Sequence, residues 1–104
     1  MRRSWWVGAA ALMMLLTWAS PSSAQLRRVL DLNRRGMEAY NNLEIEQAME
    51  LLQEALQAAE RGNVTGSPLG RTYVNLGVVS IGGFGDHGQG LQYFVQGLEA
   101  DPNV

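Results

Sequence analysis

The stretch Gly82-Gly83-Phe84-Gly85-Asp86-His87-Gly88-Gln89-Gly90 carries the clearest chemical suggestion in this sequence. Gly83, Gly85 and Gly88 stand at the GxGxxG spacing that lets a turn bring backbone amides against a pyrophosphate. A dinucleotide fingerprint of that kind follows a strand, opens a helix, and is answered by an acid about 20 residues on, at the end of a second strand. Val78 to Ile81 is β-branched enough to supply the end of a strand. The residues after Gly90 supply no second one, and their acids, Glu99 and Asp101, fall at the end of a helical pattern. The plainer reading accounts for each glycine. Gly82 and Gly83 end a helix, Gly85-Asp86 make an inter-helix turn, and Gly90 and Gly97 let helices approach closely, with Phe84 expected as a plug between them. On this reading the stretch holds no cofactor. The enzyme alternative, a nucleotide or phosphate site, would show as stabilisation by ATP or NAD that is lost in Gly85→Ala.

The remaining reactive side chains are sparse. A metal site needs several ligands, and His87, the single histidine, has only Asp86 as an obvious neighbour; it reads as a turn-surface residue. Glu46, Glu50 and Glu54 recur every four residues and line one helical face. Paired carboxylates can do acid–base work, but nothing marks a nucleophile beside them, so they read as a solvated face or an acidic contact strip. Asn63-Val64-Thr65 matches a glycosylation acceptor. Arg27-Arg28 and Arg34-Arg35 make the first helical block basic, suited to pairing with the acidic second block. No catalytic residue and no metal site is assigned.

Four elements are needed to position these residues, and a leader precedes them. Met1-Arg2-Arg3 is basic, Trp5 to Trp18 carries no charge, and Ser22-Ser23-Ala24 puts small residues before Gln25. That is the three-part pattern of a secretory signal peptide over residues 1–24; the apolar run is shorter than the roughly 20 residues of a spanning helix. The working protein is then residues 25–104, exported to the periplasm or cell envelope, with no stable membrane span. With Arg2 and Arg3 removed, six arginines stand against ten acids, a net charge of −4, which argues against nucleic acid as a partner. The chain has no cysteine, so no disulfide helps a core that is small for its surface.

Apolar spacing at three and four residues predicts helices over about Leu26 to Asn42, through Val29, Leu30, Asn33, Met37 and Tyr40, and over Glu44 to Arg61, through Ala48, Leu51, Leu52, Ala55, Leu56 and Ala59. Asp31/Arg35 and Arg34/Glu38 sit four apart for ion pairing. A loop follows over 62–68, with Ser67-Pro68 as a helix start. A third helix is predicted from Leu69 to Ile81 and a fourth from Gln89 to Ala100, the latter carrying Leu91, Phe94, Val95 and Leu98. The halves repeat at 41 to 42 residues: Arg35-Gly36 precedes Ala48, Leu52 and Ala55 as Leu76-Gly77 precedes Gly90, Phe94 and Gly97. Self-similarity at such a period marks a repeat architecture.

The second half, with Leu76-Gly77, Gly85-Asp86, Gly90, Phe94, Gly97-Leu98 and Asp101-Pro102-Asn103, resembles a tetratricopeptide repeat (TPR). The first half resembles it through Gly36, Ala48, Leu52 and Ala55-Leu56. The period exceeds the family's usual 34 residues, and glycines stand at 90 and 97 where the family favours alanine. The resemblance implies an all-α, TPR-like solenoid of two antiparallel helix hairpins, repeat 1 over about 29–62 and repeat 2 over about 69–104. It implies a concave groove lined by the first helix of each repeat, here Asn33, Arg34 and Met37 with Arg71, Asn75 and Val78. Asn75 falls where some members grip a peptide's terminal carboxylate. The expected function is a non-catalytic protein- or peptide-binding scaffold, acting through that groove or through the apolar edge of the last helix. The alternative is a piece of a longer array. Two units are few for a repeat fold, so a homodimer, further repeats or a partner is expected to cover that edge.

Overall fold

A computed structural model describes residues 23–104; the expected signal peptide and its apolar run lie almost wholly outside the described residues. The chain forms α1 (Ser23–Asn41), α2 (Ile45–Arg61), α3 (Ser67–Phe84) and α4 (His87–Ala100). The described residues are all-helical, two antiparallel hairpins, α1/α2 and α3/α4. The start of α1 lies against the end of α2, Gln25 beside Gly62, and the start of α3 lies against the end of α4, Gly70 beside Gly97. The third helix packs against both helices of the first hairpin, whereas α4 packs on α3 alone.

Each end has a local cause. Helix α2 carries Glu46 in its first turn and Arg61 in its last, matching the helix dipole. Pro68 pre-sets the first turn of α3. Ser67 lies inside that helix, and Gly66, at φ +71°, occupies the cap position expected for the serine. The third helix also runs past Ile81. Gly82 and Gly83 continue it because they give room to neighbours: a Cβ on Gly82 would strike the Tyr40 hydroxyl, and one on Gly83 the Ile45 side chain. The turn comes at Gly85, φ +69°, where the amides of Gly85 and Asp86 fold back onto Ile81 O and Ser80 O. Asp86 then caps α4, its Oδ1 accepting from Gln89 N at 3.1 Å.

The corresponding turn of the first hairpin uses a different residue. Leu43 adopts φ 63° and is 83% exposed, with Glu44 N donating to Ala39 O at 2.9 Å. A left-handed leucine costs roughly 1–2 kcal/mol and buries nothing in return. Leu43→Gly is expected to raise stability by about 0.5–1 kcal/mol after the added chain entropy of glycine is offset, read as a higher denaturant midpoint at unchanged slope.

The core lies in two clusters. Val29, Leu32, Ala55, Ala58 and Ala59 are closed over by Val64 from the α2–α3 loop. Ala39, Ala48, Leu52, Leu76 and Val79 join the hairpins. In α1 the buried face is Val29, Leu32, Asn33, Gly36 and Ala39; Leu30, placed on the stripe by spacing, is half exposed. In α4 the buried positions are Gly90 and Gly97, with Phe94 against Gly77. The plug expected of Phe84 is supplied by Phe94; Phe84 is 51% exposed.

Candidate binding surface

The residues of the expected groove fall on α1 and α3, which run side by side and are joined by a polar cluster. Asn33 is buried, 6% exposed, and its Nδ2 donates to Val29 O at 3.0 Å and to Thr72 Oγ1 at 2.8 Å. Asn75 Nδ2 donates to Asn33 Oδ1 at 3.0 Å. Thr72, fully buried, donates to Pro68 O at 2.8 Å. Buried polar groups are costly unless paired, and no buried side-chain polar atom among the described residues is left without a partner. Asn33 therefore acts as a fastener between the hairpins. Asn75 commits one N–H to it, and its carbonyl makes no hydrogen bond with another described residue.

The flanking side chains differ in what they offer. Arg34 is exposed and forks between Asp31 Oδ1 at 2.6 Å and Glu38 Oε1 at 2.8 Å. The hydrogen bond from Arg34 holds the Asp31 carboxyl below the usual carboxylate range, and the same contact raises the Arg34 guanidinium. Arg35 lies 3.6 Å from Asp31 Oδ2. These are pairs within α1; across the hairpin only the looser Arg28–Glu54 pair, at 3.8 Å, links the basic and acidic helices among the described residues. Arg71 is exposed and makes no ion pair or side-chain hydrogen bond with another described residue. It lies one turn from Asn75 and two from Val78 on α3. Met37 and Val78 are half-buried, and Met37 packs against the inter-hairpin cluster. The structure thus brings Asn33 and Asn75 together, leaves Arg34 and Arg71 at the surface, and draws Met37 toward the core. Thr72 belongs to this site although sequence reasoning passed over it. Its only signal is a hydroxyl residue one turn after Pro68 and one turn before Leu76.

The glycine stretch has no dinucleotide geometry. Val78 to Ile81 is helical, so no strand precedes it. The Gln89 amide in the first turn of α4 donates to the carboxylate of Asp86, which places negative charge where a phosphate would need to sit. His87 is exposed at the start of α4, and Glu46, Glu50 and Glu54 are exposed along α2. Asn63 is exposed in a left-handed turn, φ 53°, with Val64 buried behind it.

A second surface lies on α4. Leu91, Val95 and Leu98 are 60%, 55% and 53% exposed, one stripe at steps of four and three, and Gln92 and Gln96 line the same depression. No helix among the described residues is long and apolar enough to cross a membrane. No protein-family model, curated protein or solved structure matches the chain.

Proposed function

We propose that the chain is an exported, non-catalytic binding module, a short TPR-like scaffold that holds a partner peptide across α1 and α3. The observation that carries this reading is the fastening of α1 to α3 through Asn33, Thr72 and Asn75 with Arg71 uncommitted beside them. Two helices held rigidly side by side present fixed side chains to an extended segment. Arginine recognises carboxylates through a bidentate fork, and Asn75 keeps an acceptor one turn away. The repeat reading is supported by the way the hairpins superpose their roles. Gly36 receives Leu52 as Gly77 receives Phe94, and Ala48 and Gly90 stand at matching places on the second helices. Export is supported by the leader pattern over residues 1–24.

The test uses a mixed peptide pool ending in free carboxylates and the same pool amidated. The carboxylate pool is expected to be retained, and Arg71→Ala to weaken retention by about tenfold, the effect of one lost charge-assisted contact. Equal retention of both pools would refute the carboxylate groove. Because Arg71 is exposed, the variant's melting curve is expected to match the parent's.

A further inference from the structure

The stripe on α4 repeats a surface that the first hairpin uses internally. In that hairpin Asn33 and Tyr40 of α1, with Met49 and Leu56 of α2, face α3: Asn33 bonds Thr72, Tyr40 stands against Gly82, and Met49 and Leu56 pack on the cluster holding Leu76 and Val79. At the repeat spacing their counterparts in the second hairpin are Val74, Ile81, Leu91 and Leu98, and the counterpart of Gln53 is Val95. The polar fastener is gone and these five positions are all apolar, with Gln92 and Gln96 at their edge. What sits on the first such face is a helix, so a helix is what the second face fits.

The head-to-tail arrangement is closed off by α1. Where α3 turns Thr72, Leu76 and Val79 to the first hairpin, α1 carries Asp31, Arg35 and Glu38 at the corresponding positions, all exposed and ion-paired. Covering the α4 stripe with those groups would strip charges of water. The α4 stripe, by contrast, is complementary to itself. We propose that the chain pairs with a second copy through this face, the two α4 helices antiparallel about a two-fold axis near Val95. With the axis between Phe94 and Val95, Leu91 of one copy lies opposite Leu98 of the other and the two Val95 side chains flank the axis, the isologous pattern of a two-fold dimer. The stripe spans about 10 Å of helix at 1.5 Å per residue. No charge lies between Gly88 and Leu98, with Glu99 following at the end of the stripe, so the centre of the contact is free of like charge. This inference does not rest on the groove reading; either can fail with the other intact.

The test compares the full chain with Val95→Glu by sedimentation velocity over a concentration series, with circular dichroism to confirm helicity. Both proteins share residues 1–22, so a difference between them reports on α4. The parent is expected to dimerise and the variant to do so about tenfold or more weakly, because a carboxylate buried without a partner opposes association. The absence of native cysteine allows a second measurement that needs no loss of fold. Under mild oxidation Val95→Cys is expected to give a disulfide-linked dimer, since its two thiols flank the axis, and exposed Glu50→Cys on α2 is expected to stay monomeric. Identical sedimentation of parent and Val95→Glu, equal cross-linking of both cysteine variants, or a Val95→Cys chain that stays reduced and monomeric would each overturn the proposal. The last result would assign the face to a different helix.

Discussion

Leu52→Ala is expected to abolish cooperative folding near physiological temperature. Leu52 is fully buried where α1, α2 and α3 meet, among Ala39, Ala48, Leu76 and Val79. Ala39 and Ala48 are too small to fill the space, and Leu76 and Val79 are held on a separate helix, so the cost should fall in the upper part of the about 2–5 kcal/mol range for such truncations. Domains typically hold about 5–15 kcal/mol in all, and one of this size without a disulfide sits at the low end. A specific partner exists for the effect. A Cβ on Gly36 would stand 2.8 Å from the Leu52 side chain, so Gly36 is glycine because Leu52 leans on it. Gly36→Ala alone should destabilise. In the background of Leu52→Ala the same change should recover stability by about 1 kcal/mol, since helix propensity favours alanine once the clash is gone. A thermal and denaturant double-mutant cycle measures the coupling; additive effects at these two positions would contradict the packing described.

The four helices were legible because their periods survive in the sequence, and the glycines are where that reading slipped. Spacing of large apolar side chains passed over Gly36 and Ala39, which are buried through closeness of backbones, and its stripe through Val29 and Leu30 turned away from Leu32, which is buried. It ended α3 at Ile81 because paired glycines usually stop a helix. Here Tyr40 and Ile45 crowd Gly82 and Gly83 from outside, and Gly85 makes the stop. Position among the glycines of the turn points to Phe84 as the plug, whereas Gly77 on α3 makes the room and Phe94 fills it. The site divides the same way. Asn33 reads in sequence as a polar break in a stripe, and its bond to Thr72 spans 39 residues, a distance no local pattern reports. Arg71 was legible as a surface arginine, and the self-pairing of Arg34 with Asp31 and Glu38 follows from spacings of three and four.

Gly77→Ala and Gly88→Ala are expected to change stability in opposite directions. The glycines at 70, 77, 90 and 97 recur every seven residues on each helix, so they stay on facing sides through two turns. A Cβ on Gly77 would strike the Phe94 ring and stand 3.0 Å from Gly90 O, and one on Gly90 would stand 3.2 Å from Gly77 O. A ring can tilt, but a backbone carbonyl on a packed helix cannot move without separating α3 from α4. Gly77→Ala should therefore cost about 1–3 kcal/mol as overpacking, net of the roughly 1 kcal/mol that alanine returns in helix propensity. Gly88 is exposed in the first turn of α4 with only Asp86 Oδ1 near, at 3.9 Å, so alanine there should gain a few tenths to about 1 kcal/mol. Denaturant midpoints of the two variants decide the matter, and stabilisation by both would mean that the hairpin does not depend on close approach. The consequence reaches the surface. Because Gly90, Gly97, Phe94 and Tyr93 make up the packed side of α4, its remaining large apolar residues, Leu91, Val95 and Leu98, face outward. A helix that packed on α3 through leucines would have none to offer a second copy. The glycine face and the association face are thus two sides of one arrangement, and widening the hairpin at Gly77 should weaken dimerisation as well as folding.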